Sequence, residues 1–197
     1  MANVSRPYGF RPVKHLTGGP YNGQVTRYAV GTADTVAMAV GDLVQFTGGA
    51  DADGVRLVKR ATTSVSTAAP LVGAVVGFSP DPTALQNSGL RLASTQRYVL
   101  VADSPTLIFE AQANAGLTVT TAVGQNAAAV TTAATTTAPW GQSNMQVDAT
   151  STATTSTLAL KIVGIQPAPI NDLTDSTSLK VLVMINEHAF ANRAATI

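Results

Sequence analysis

Apolar and polar positions alternate most clearly between Tyr98 and Asn126, in the stretch YVLVADSPTLIFEAQANAGLTVTTAVGQN. The apolar run Tyr98 to Val101 is stopped by Asp103-Ser104-Pro105, because Asp suits the first position of a turn and Pro has no N–H to give a ladder. A second run, Leu107 to Phe109, leads into Glu110 and Gln112 alternating with Phe109 and Ala111. That period of two is expected where one strand face is covered and the other meets water or a partner. Gly116 and Gly124-Gln125-Asn126 bound a third expected strand, Leu117 to Val123, whose β-branched threonines suit a pleat. The stretch predicts a β meander and holds no reaction centre.

Similar punctuation recurs along the chain. Leu43 to Phe46 lies between turns at Gly41-Asp42 and Gly48-Gly49, and Val55 to Lys59 follows Asp51-Ala52-Asp53-Gly54. The two carboxylates of that turn evoke an EF-hand loop. With no Glu at the twelfth position and no flanking helices, a hairpin turn is the better account. LVGAVVGF follows Ala69-Pro70, and its Gly73 and Gly77 mark bends or close backbone approach. Between Ser79 and Gln96 the sequence predicts a connection with one helical turn, Thr83 to Asn87, which delivers Arg91 and Arg97 to the next strand. Leu158 to Ile165 and Lys180 to Ile185 read as strands around the loop QPAPINDLTDSTS, and VLVMI predicts a strand buried on both faces. NEHAFANRAATI then predicts a tail with a helical turn. Short strands at this spacing predict an all-β fold, a small β-barrel or a jelly-roll-like β-sandwich.

The segment 126–157 is mostly Ala and Thr and carries Asp148 as its one charged residue. Strand propensity and the shortage of charge argue against a disordered linker. At Pro139-Trp140-Gly141 the sole tryptophan, Trp140, is expected to plug a core or interface pocket.

Charge changes the picture at the amino terminus. From Met1 to Tyr28 the cations Arg6, Arg11, Lys14 and Arg27 meet no acidic residue before Asp34, so this segment carries all of the net positive charge. Its prolines and glycines exclude a helix and predict an extended arm over 1–30, ahead of a β domain over 31–197. Arg6, Tyr8, Phe10, Arg11 and Lys14 are the expected docking residues, with the aromatics as anchors in apolar pockets. The cations are too dispersed for a dedicated nucleic-acid tail, so no nucleic-acid partner is expected.

Charged residues make up 12% of the chain, about half the roughly 25% usual in a soluble domain, while apolar residues reach 45%. Such sparse ionic cover points to a surface hidden in an assembly, and no apolar run approaches the roughly 20 residues of a membrane span. Cysteine is absent, so disulfides and thiolate metal sites are unavailable. MANVSRPYGF lacks the apolar core of a secretory signal, and assembly in the cytoplasm is expected. The only histidines are His15 and His188, and no serine lies in a G-x-S-x-G elbow. Metalloprotease, phosphate-loop and dinucleotide motifs are missing, and Glu110 and Glu187 have no evident acid–base partner. Neither an enzyme nor a cofactor or metal is expected.

Several segments resemble the capsid decoration, or cement, proteins of tailed bacteriophages. The likeness is carried by MANVSRPYGFRPVKHLTGG, PLVGAVVGFSP, VADSPTLIFEAQANAG followed by VGQNA, IVGIQPAPIND and the ending VLVMINEHAF. It implies a β-rich protein on the outer surface of the virion head, a dimer or trimer at a local symmetry axis, with the major capsid protein as partner. In this reading the arm clamps adjacent capsid subunits. The alternatives are a tail or baseplate component, and a carbohydrate-binding β module using Trp140, Tyr21 and Tyr28.

Overall fold

A computed structural model of the chain describes residues 3–62, 70–81, 85, 89–134 and 141–191. In chain order its elements begin with β1 (Arg11–His15), β2 (Thr26–Val30), β3 (Met38–Ala39), β4 (Leu43–Ala50), β5 (Arg56–Arg60) and β6 (Leu71–Phe78). They continue with β7 (Leu90–Arg91), β8 (Arg97–Ala102), β9 (Leu107–Gln112), the single helical turn α1 (Val119–Ala122) and β10 (Asn126–Val130). The last three are β11 (Gln146–Ala153), β12 (Leu160–Ile165) and β13 (Lys180–Ile185). The fold is all-β.

Five strands close a barrel in the order β2-β5-β4-β6-β8. Its seam is the one parallel pairing, Ala29 opposite Leu57, while β2 runs antiparallel to β8 over its full length. Six others form an antiparallel sheet in the order β1-β9-β13-β12-β10-β11. That sheet curls, because Ala113, just past β9, bridges Val147 of β11 and the Asn114 N–H donates to the Val147 carbonyl at 3.0 Å.

The apolar runs follow from how the two bodies meet. On β6, Leu71 and Ala74 belong to a large core shared with the six-stranded sheet, whereas Val72 and Val75 point into the smaller core inside the barrel. Leu43 and Val44 on β4, and Ala102 and Val101 on β8, divide in the same way. A strand covered on both faces has no polar position to alternate with, so its sequence reads as a continuous apolar run. Gly73 lies against the end of the neighbouring barrel strand β8, and a Cβ there would overlap the Ala102 carbonyl oxygen.

Several expectations change. The stretch from Tyr98 is not a meander: β8 belongs to the barrel and β9 to the six-stranded sheet, and Asp103 to Thr106 carries the chain between them. Leu117 to Val123 is not a strand. It holds α1, anchored by buried Leu117 and Ala122, with the Thr118 carbonyl accepting the Ala122 N–H at 3.0 Å. Threonine propensity makes a strand only where a ladder partner exists. In β13 only Val181, Val183 and Ile185 are fully buried, and Leu182 and Met184 are half-buried on the outer face. The residues 186–191 form turns and an isolated bridge rather than helix. Trp140, the expected turn over 83–87 except Leu85, and the tail beyond 191 lie outside the described residues.

Candidate interaction surface at the N-terminal segment

The segment expected to be an extended arm is extended and packed against the domain. Asn3 ties its beginning to the loop before β13: its N–H donates to Asp175 Oδ2 at 2.9 Å, and its Nδ2 donates to the Asp172 and Asp175 carbonyls at 3.0 and 2.8 Å. The Gln112 side chain grips the next residues, accepting the Arg6 N–H on Oε1 and donating Nε2 to the Val4 carbonyl, each at 2.8 Å. Tyr8 then donates its hydroxyl to Glu110 Oε1 at 2.8 Å. Phe10 enters the large core at 1% exposure, and its N–H donates to the Gly41 carbonyl at 2.8 Å.

Gly9 makes that entry feasible. It has φ near 77°, and a Cβ would overlap the Gly41 carbonyl oxygen. From Arg11 the segment becomes β1, an edge strand on β9, and Thr26–Val30 is already a barrel strand. The boundary expected at residue 30 therefore coincides with the end of β2 and separates no independent arm. The physical reason is the polar side of β9: Glu110 and Gln112 are the polar residues of an otherwise apolar, fully buried strand and take most of their partners from the chain's own first residues.

Glu110 organises the electrostatics. Arg11 Nη2 lies 2.5 Å from its Oε1, and Gln166 Nε2 donates to Oε2 at 2.7 Å. Burial pushes the Glu110 carboxyl upward, but donation from Tyr8, with the Arg11 charge and the donations from Arg11 and Gln166, holds it below the usual carboxylate value. Burial and the adjacent carboxylate push the Tyr8 hydroxyl pKa well up, so it stays a donor. The Arg11 guanidinium also lies 5.4 Å from the centre of the Tyr8 ring. Its side chain is 67% exposed against 5% for Glu110, so the pair offers its positive end to solvent.

Four of the five expected docking residues are thus at or near the surface. Arg6, Arg11 and Lys14 are exposed and Tyr8 is half-buried, whereas Phe10 is a core residue and unavailable to a partner. Beside this segment, against the Ala168–Leu173 loop, runs a cleft of about 780 Å³ whose walls include Val4, Arg6, Ile170, Leu173 and Lys180. Sequence reading missed the cleft. The polar alternation of Glu110 and Gln112 was the available signal, but it did not reveal which residues cover it.

Elsewhere, the Asp51 side chain closes the β4–β5 turn by accepting the Asp53 and Val55 N–H groups at 3.0 and 2.8 Å. Tyr28 is buried and donates to Asp103 Oδ2 at 2.7 Å, which removes it from any sugar-stacking surface. Among the described residues no group of three or more His, Cys, Asp or Glu is arranged to hold a metal ion, and no helix is long and apolar enough to cross a membrane. No family model, curated protein or solved structure matches the chain.

Proposed function

We propose that the chain is a structural virion protein that binds the outer surface of a phage capsid and cements neighbouring major capsid subunits. Besides the sequence resemblance, one observation carries the reading. In a chain with 12% charged residues, Arg6, Arg11 and Lys14 stand exposed on one packed segment, next to exposed Val4, Leu16, Ile170 and Leu173. A surface that pairs cations with uncovered aliphatic side chains favours docking on a partner over free solvation. Attachment is multivalent: a dimer or trimer repeats the same modest contact, and the contacts combine into tight binding.

Because Phe10 fills the chain's own core, the contact is made by the outer side of the segment rather than by a free clamp. Deleting the segment would damage the fold and is a poor test. The better one exchanges Arg6→Glu and Lys14→Glu together and measures co-sedimentation with bare heads. Loss of attachment with an unchanged circular dichroism spectrum is expected, and undiminished attachment refutes the proposal.

A further inference from the structure

The cleft beside the N-terminal segment combines three features. Val4, Ile170 and Leu173 border it with 75%, 49% and 45% of their surface exposed, a high exposure for aliphatic side chains gathered at one place. Arg6 and Lys180 stand on its walls, and among the described residues neither enters an ion pair. Asp172 is the one carboxylate of the lining, and its Oδ1 is turned to its own loop, accepting the Thr174 N–H at 3.0 Å and hydroxyl at 2.6 Å. With Arg6 and Lys180 set against Asp172, the lining carries a net positive charge, and most of the surface it exposes is apolar.

We infer that this cleft is a docking groove for an extended segment of a partner protein that alternates apolar and acidic side chains. Apolar side chains of such a segment cover Val4, Ile170 and Leu173, and its carboxylates reach Arg6 and Lys180. A volume of about 780 Å³ lies within the roughly 300–1,000 Å³ of clefts that hold ligands of this size. A nucleic-acid strand fits poorly, because base stacking needs aromatic faces. Tyr8, the one aromatic residue of the lining, already has the Arg11 guanidinium beside its ring. A second copy docked symmetrically through the same face brings the Arg6 and Lys180 of both chains into one interface, with Asp172 as the one carboxylate each lining supplies. The inference names the partner chemistry of the surface proposed above. It rests on that surface being the docking face, and not on the partner being a phage head.

The test uses the full chain, labelled with ¹⁵N, and a capped six-residue peptide alternating leucine and glutamate, beside counterparts carrying lysine or serine instead of glutamate. With the glutamate peptide the amide signals of Val4, Ile170, Leu173 and Lys180 should move. Binding should weaken about tenfold for the serine peptide and vanish for the lysine peptide. Arg6→Glu with Lys180→Glu should abolish the response and leave distant signals in place, since Arg6 is exposed and Lys180 half-exposed. The inference is overturned by no movement at millimolar peptide, by equal movement with the lysine peptide, or by movement confined to another face. A mass measurement showing self-association lost in the double variant also overturns it, in favour of a second copy. If the peptide binds and bare heads do not, the virion reading falls and the groove stands. If heads bind and the peptide does not, the reverse holds.

Discussion

Arg60 donates its Nε–H to Asp42 Oδ2 at 3.0 Å in an interior where the two side chains are 3% and 0% exposed. The pair sits where the barrel meets the six-stranded sheet. Asp42 also accepts the Ala39 N–H at 2.9 Å and the Ser143 hydroxyl at 2.6 Å, and Arg60 Nη2 donates to the carbonyls of Thr131 and Thr132. The partners come from three separate stretches of chain, so the pair fastens β3, β5, the end of β10 and the approach to β11 together.

Removing one half leaves the other charge buried and uncompensated. Asp42→Ala is expected to cost about 3–5 kcal/mol, and Arg60→Met a similar amount. The double replacement should cost less than the sum, because neither charge is then stranded. Urea denaturation of the two single variants and the double variant checks this; strict additivity would show that the pair is not coupled.

Gly9 governs whether the N-terminal segment seats. Alanine there must adopt a φ near 77° and displace the Gly41 carbonyl. The expected loss is about 1–3 kcal/mol from overpacking, in addition to backbone strain. Amide exchange should accelerate at Arg6 and Phe10, whose N–H groups are protected by Gln112 and Gly41. Unchanged exchange at both would contradict the account.

These two sites show what was legible in the chain and what was not. LVGAVVGF and KVLVMI announce strands because their apolar positions persist whatever lies next to them, and both form strands, although KVLVMI is fully buried on one face only. Gly73 was legible as a point of close approach for the same local reason. The pairing of those strands was not. Tyr98 to Phe109 reads as two adjacent strands, yet β8 and β9 enter different sheets, because the sequence records burial on a face and not which element supplies the cover. Phe10 had the same ambiguity: an aromatic in a Pro/Gly-rich, basic segment suits an external pocket or an internal one. What decides is Gly9 opposite Gly41, a contact between residues far apart in sequence.

Glu110 is expected to act as the latch of that segment. Glu110→Gln keeps the shape but removes the charge that faces Arg11 and Tyr8 and replaces one of the two acceptor oxygens with a donor. A loss of about 1–3 kcal/mol follows for the hydrogen bonds to a charged group. The Tyr8 hydroxyl should then ionise at lower pH, since the carboxylate that opposes its ionisation is gone. An ultraviolet titration comparing the variant with Tyr8→Phe resolves this, and an unaltered curve would remove Glu110 from the role.

Acid should weaken the fold through His188, which is 2% exposed. Its Nδ1 accepts the Phe190 N–H at 3.0 Å, and its backbone neighbours clasp Leu71: the Leu71 N–H donates to the Glu187 carbonyl at 2.9 Å and the Ala189 N–H to the Leu71 carbonyl at 2.8 Å. Burial pushes the imidazole pKa down from 6.5 to about 4, against a smaller upward pull from Asp103. The folded chain therefore holds this histidine neutral where the unfolded chain takes up a proton. Its stabilising contribution is complete above pH 6.5, declines as pH falls through the interval to about 4, and is absent below it. The decline is bounded at about 3 kcal/mol by the conversion of pKa into free energy. Glu110, Asp172 and Asp175, all held below their usual values by hydrogen bonds, add a further loss at more acid pH, that of Asp172 extending to about 2. Thermal melts between pH 4 and 7 should slope upward in the native chain and flatten in His188→Gln. An equal slope in both would assign the acid sensitivity to the carboxylates.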